Sequence, residues 1–217
     1  MATTTEPSIF GPIVTGADVE QWCLEELRLW SCTYLSEMER QTGLPAGSLP
    51  DVRAWVTTPS FDKWPEDQLP AVLLISVGLA EPPLRDGSGS YRARWQIGLG
   101  CIVSARTQAE AHKLAMLYVA AHRALLLQRP GLSGHAAGVV WQDEDYSQLV
   151  YDDIRTLAGG QATFTVEVEE VTTWGMGPLD TDQPLDPCHD PWPPLTTVQT
   201  HQETVEHYPP PDPLPDN

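Results

Sequence analysis

Basic residues are scarce in this sequence: 12 Lys and Arg stand against 30 Asp and Glu, for a formal charge of −18 over 217 residues. Tight nucleic-acid binding depends on Lys and Arg neutralising phosphates, so the balance argues against that role. It argues equally against attachment to anionic membranes. No apolar run reaches the roughly 18 residues that span a bilayer. Met1–Pro7 is polar, with neither a basic start nor an apolar centre, and no secretory signal is expected. Cysteine is sparse as well. Cys23, Cys32, Cys101 and Cys188 form no C-x-x-C pair. A chain of this size can bury a core that folds unaided, so no disulfide framework is expected and synthesis in a cytoplasm is the simpler reading. Cys23 and Cys101 fall on apolar faces, where a thiol behaves as a small hydrophobe.

Signatures of catalysis are also missing. There is no G-x-S-x-G, and Gly87-Ser88-Gly89 reads as a turn without a strand-to-helix context. Gly98-Leu99-Gly100 lies inside a strand pattern with no third glycine or helix start, so it is no phosphate cradle. Glycines there are expected to let a neighbouring backbone or large side chain approach. His112 and His122 are ten residues apart on one helix, too far for a metal pair, and are expected as core or boundary residues. Asp143, Glu144 and Asp145, with Asp152 and Asp153, offer carboxylates for a hard cation but lack EF-hand spacing, and a solvated acidic loop is expected. Cys188-His189 has no second ligand pair. No catalytic residue, metal or cofactor is assigned, and no enzymatic activity is expected.

What is present is a globular body, with 41% hydrophobic residues, and a different C-terminal segment. From Met176 onward there are eight acids, eleven of the 21 prolines and no Lys or Arg. Residues 1–177 read as one α+β domain and 178–217 as an extended, Pro-rich acidic tail, since proline at this density blocks helices and ladders. The tail is either a solvated linker or a strap that docks along a partner, with Trp192, Leu195, Val198 and Tyr208 as its apolar anchors.

The body opens with a helix over 17–41, capped by Thr15 and Asp18, with Val19, Trp22, Cys23, Leu27, Trp30, Tyr34 and Met38 along one stripe. Gly43 and Pro45 stop it. Strands are expected at 52–58, at 71–79 and at 91–103. The second is apolar enough to be central and covered on both faces. In the third, Tyr91, Ala93, Trp95, Ile97, Leu99, Cys101 and Val103 share one face, opposite Arg92, Arg94 and Gln96. Residues 81–90 read as a mobile hairpin loop. Thr107 and Glu110 open a second helix running to about 128, ended by Pro130 and Gly131. A short strand at 138–142, an acidic loop over 143–153 and a strand at 161–173 follow. The alternation of that last strand slips at Glu170–Val171, as at a β-bulge. The fold class is therefore α+β: a mixed or antiparallel sheet of about four to five strands with two main helices packed on it.

Three stretches carry a family likeness: Ala17–Leu35; RWQIGLGCIVS over Arg94–Ser104 running into the Thr107–Leu127 helix; and YDDIRTLAGGQATFTVEVEEVTTW over Tyr151–Trp174. In wording and order they resemble the tail terminator proteins of long-tailed (siphovirus-like) bacteriophages of the actinobacteriophage type. The resemblance implies a non-enzymatic virion protein, made in the host cytoplasm and resident at the tail neck. It implies a hexameric ring that caps the tail tube, meets the tail tube protein and the head–tail connector or stopper, and lets DNA pass without specific binding. Another head–tail adaptor or head-completion protein is the alternative, and a small metal-dependent enzyme using the acidic loop is a third. A ring subunit needs heterologous side surfaces. Aromatics favour interfaces, so Trp55, Phe61, Trp64, Trp192 and Tyr208 are the candidate contact residues, with Arg92 and Arg94 able to reach an acidic neighbour. The competing place for the body's rings is its own core, and Trp95 is expected there.

Overall fold

The computed structural model describes residues 13–57, 65–87, 89–146, 149–152 and 155–173. Phe10–Gly175 packs as one compact unit. The expectations made for the Pro-rich segment lie outside the described residues.

Helix α1 spans Gly16–Thr42. Its start is set by a reciprocal cap: Thr15 Oγ1 accepts from the Asp18 N–H, and the Asp18 carboxylate accepts from the Thr15 N–H at 2.7 Å. Two backbone donors that the helix cannot satisfy itself are thereby paired. Gly43, at φ 67°, ends it in the left-handed region that costs glycine nothing. The line of full burial steps by fours through Val19, Cys23, Leu27, Ser31, Leu35 and Glu39. Trp22, Trp30, Tyr34 and Met38 flank that line, partly buried against the core.

The strands are β1 (Ala54–Val56), β2 (Ala71–Leu79), β3 (Leu84–Arg85), β4 (Ser90–Ala105), β5 (Gly138–Asp145), β6 (Leu149–Asp152) and β7 (Arg155–Thr173), with helix α2 (Gln108–Gln128) between β4 and β5. They form one sheet in the order β1-β2-β4-β7-β5, with β3 also on β4 and β6 also on β7. The β1–β2 pair is parallel and every other described pair is antiparallel. This is the expected α+β class, a mixed sheet carrying two helices. The long β4–β7 ribbon is its spine, running from Ser90↔Thr173 to Ala105↔Thr156.

One face of the ribbon is apolar and covered. Ala93, Ile97, Leu99, Cys101 and Val103 of β4 meet Ala158, Ala162, Phe164, Val166 and Val168 of β7 beneath the helices, in a single cluster with Leu27, Leu35, Tyr118 and Leu125. Each complete burial of a Leu, Ile or Phe side chain contributes about 1.5–3 kcal/mol. At Gly160 the packing tolerates no side chain, because a Cβ would sit 2.8 Å from a Tyr146 ring carbon and 3.0 Å from a Val119 methyl.

The structure corrects four expectations. Strand β2 lies inside the sheet order but is covered on both faces only at its start: Val72 and Leu74 are buried on the helix side and Ala71 on the other, beside Leu69 and Leu157, whereas Val77 is exposed. Its apolar run reflects an outward side that the helices, both on the opposite face, do not reach. The acidic stretch after 142 is not a loop, since β5 continues to Asp145 and β6 follows at 149–152, both paired to β7. Backbone pairing to so long a strand overrides the weak strand propensity of acidic residues. Residues 84–85 of the expected hairpin loop form β3 on β4. Gly98 and Gly100 admit no forced approach, because a Cβ at either would meet ordinary contacts at 3.8 and 3.5 Å. The bulge expected near Glu170 is present: Ala93 pairs Val168 but Tyr91 pairs Thr172, and Glu170 takes φ 54°.

Candidate assembly surfaces

Of the seven residues singled out in the sequence, Phe61, Trp64, Trp192 and Tyr208 lie outside the described residues. The other three do not share one patch. Trp55 sits at the margin of the core, half-buried and edge-on to His122 with ring centroids 6.0 Å apart. Arg92 and Arg94 are brought together on the sheet face away from the helices, where both engage Glu167 of β7.

That pairing follows from register. Arg94 and Glu167 are directly opposite across the β4–β7 ladder. Arg94 Nε donates to Glu167 at 2.9 Å and its Nη1 to Glu81 at 2.9 Å, while Arg92 Nη1 lies 3.2 Å from the second Glu167 oxygen. The Glu167 carboxylate holds the Arg94 guanidinium charged, above its ordinary range, with Glu81 adding to the effect. All three partners touch solvent, so the cluster orients charge more than it stabilises the fold.

At the opposite flank, β5 is an edge strand of the sheet. Trp141 lies on its helix side beneath the Arg123 guanidinium, 4.6 Å from the ring centroid. Arg123 also bonds Glu144, which accepts from the Tyr146 hydroxyl. Burial pushes the Tyr146 phenol up, and the Glu144 carboxylate beside it adds to this. The acids weighed for a cation are thus partly committed: Glu144 to Arg123 and Tyr146, and Asp143 to the Glu144 N–H at 2.8 Å. Among the described residues, no three of His, Cys, Asp and Glu gather as a metal site.

One pair has the composition of a nucleophile and its base. Ser31 Oγ lies 2.8 Å from His122 Nε2, and His122 Nδ1 lies 2.7 Å from the Tyr118 carbonyl oxygen. A carbonyl only accepts, so Nδ1 carries the proton and Nε2 accepts from Ser31. Both residues are buried within the core, with Cys101 Sγ 3.9 Å from the ring. Burial lowers the His122 pKa from 6.5 to about 4, and no substrate can reach the pair. It is a polar tie between α1 and α2. The Cys23 thiol is likewise pushed up to about 12 by burial, with Glu20 and Glu26 adding, and is unreactive.

No protein-family model matches the chain. No curated protein matches it either. Among solved structures it is similar to a chain of the virion of a native gene transfer agent (GTA) particle, at 17% identity and a TM-score of 0.39, over 61% of this chain and 91% of that one. A likeness this distant carries no weight on function.

Sequence reasoning missed the exposed apolar residues of the sheet flanks. Val77 and Leu79 were assigned to a covered strand, Leu84 to a loop, and Val140 and Trp141 to a short strand without further role. All five are exposed. The available signal was their position in strands that the topology leaves at the sheet margin, and a linear pattern does not reveal which strands those are.

Proposed function

We propose that this chain is a structural virion subunit of a bacteriophage neck: a tail terminator whose copies close into a hexameric ring on the tail tube and meet the head-side connector. One observation carries the reading. The stretches that resemble that family are α1, β4 with α2, and β7, so the likeness falls on the spine of the sheet and the two helices packed on it. The chemistry agrees. Buried polar pairs hold elements together, as Ser31 does with His122 and Glu26 with Arg129. At the surface, Arg92 and Arg94 are set with Glu167 across neighbouring strands. A net-negative wall around a DNA path repels phosphates rather than binding them.

A second reading, another head–tail adaptor or head-completion protein, shares these features and differs in copy number. Mass photometry of the purified chain separates the two. Six copies of 23.9 kDa make a closed ring of about 143 kDa. A different closed stoichiometry favours the adaptor. A monomer at every concentration, with or without tail tube, overturns both.

A further inference from the structure

The connection from α2 to β5 holds a run of left-handed backbone. Leu132, Ser133 and Gly134 take φ of 42, 56 and 98° in succession, whereas every other positive φ among the described residues stands alone. Glycine adopts that region freely. For leucine and serine it sets Cβ against the backbone, and L-residues enter it singly rather than in series. Such a conformation persists only where its surroundings impose it.

Two side chains impose it here. Leu132 is buried in the main core cluster. The Ser133 hydroxyl donates to Glu26 of α1, whose carboxylate also accepts from Arg129 Nε at 2.6 Å, so one buried acid grips the connection at two points. Just beyond, the His135 ring stacks on Trp22 of α1, with centroids 4.7 Å and planes 9° apart. A cavity of about 160 Å³ between Trp22, Leu29, Leu132 and His135 leaves the turn room to move.

Past the turn the chain joins the sheet at a single residue of β7. The Ala137 N–H donates to the Glu167 carbonyl at 2.8 Å, and Gly138 is the ladder partner of Glu167. The carboxylate of that same Glu167 gathers Arg92 and Arg94 on the open face. Turn and charge cluster therefore meet at one position.

We propose that residues 131–137 form a strained latch. The left-handed backbone of Leu132 and Ser133 drives it open, Glu26 and the burial of Leu132 hold it shut, and opening releases the start of β5 from Glu167. Its states are discrete, because Leu132 is either seated in a close-packed core or withdrawn from it. The rest of the sheet survives the opening, since the β4–β7 ladder is its spine. One moving turn thereby links α1 to the open face of the sheet. The latch does not depend on the ring reading and exists in a single copy of the chain.

Native-state hydrogen exchange on the full chain tests it. The amides of Leu132, Gly134, His135, Ala136 and Ala137 all donate to backbone carbonyls, and they are read against the amides of 97–103 in β4. The five are expected to exchange together, about tenfold or more faster than the β4 group. Two variants separate strain from the lost bond. Ser133→Ala and Ser133→Gly both lose the hydroxyl that reaches Glu26, and only glycine relieves the backbone. Ser133→Ala is expected to speed the five amides about tenfold and Ser133→Gly clearly less, with the β4 group unchanged in both. Equal or greater speeding in the glycine variant removes strain as the driving force and overturns the proposal. So do five amides that exchange at unrelated rates, which is fraying, or at the rate of the β4 group, which is global unfolding. An Ala137 amide that keeps the β4 rate while the other four speed up overturns the release of β5. Should a variant fail to fold, the wild-type comparison still decides whether the turn opens as a unit.

Discussion

At the residue scale, the most consequential side chain is His122. It is uncharged in the core, donating to Tyr118 and accepting from Ser31, and its pKa falls from 6.5 to about 4 because burial disfavours the cation. The unfolded chain takes up a proton at this residue below pH 6.5, while the folded chain resists until about pH 4. The unfolded state therefore binds more protons in that window, and acid destabilises the fold. The melting temperature is expected to fall as pH drops from 6.5 toward 4, with this residue contributing up to roughly 1.4 kcal/mol per pH unit. Thermal melts of wild type and His122→Gln across this range check it. The variant is less stable at pH 7 and shows a shallower decline, and identical slopes refute the assignment.

At the element scale, α1 and α2 are held by a second polar contact. Arg129, one residue past α2, donates through Nε to Glu26 of α1 at 2.6 Å, and the Ser133 hydroxyl donates to the other Glu26 oxygen. The Arg129 guanidinium also covers the Trp30 ring at 4.4 Å. Burial alone would push the Glu26 carboxyl up, but hydrogen bonds from Arg129 and Ser133 bring it below its ordinary value. Removing one partner of such a pair leaves the other uncompensated, so Glu26→Ala is expected to cost about 3 kcal/mol in chemical denaturation. Glu26→Gln, whose amide oxygen still accepts, should cost clearly less. Equal losses would mean that the hydrogen-bond acceptor contributes nothing beyond the charge.

For the whole molecule, Phe10–Gly175 is one compact unit with a single main core among the described residues. Deleting residues 179–217 is expected to leave the melting temperature of the body unchanged while weakening particle assembly. Calorimetry and a virion-assembly assay read the two effects separately. A truncated body that melts without cooperativity counts against the first expectation, and undiminished assembly against the second.

Local chemistry was legible along the chain wherever one residue acts on near neighbours. The Thr15–Asp18 cap, the Gly43 stop, the alternation of β4 and the slip near Glu170 all depend on contacts a few residues apart, and periodicity records them directly. Coverage was not legible. Whether the apolar side chains of β2 are buried, whether acids 143–145 pair as a strand, and whether Val140 faces solvent depend on which strands lie beside them. Those neighbours are distant in sequence: β5 lies against β7, and β4 joins β2 to β7. The same holds for Ser31 with His122, 91 residues apart, and for Gly160 beneath Tyr146 and Val119. The sequence by itself determined where both helices and strands β2, β4 and β5 begin, and which face of α1 and of β4 turns inward, because those are short-range preferences of the backbone. Only the tertiary structure decided which margins stay open, since an edge exists only once every other strand has found its partner.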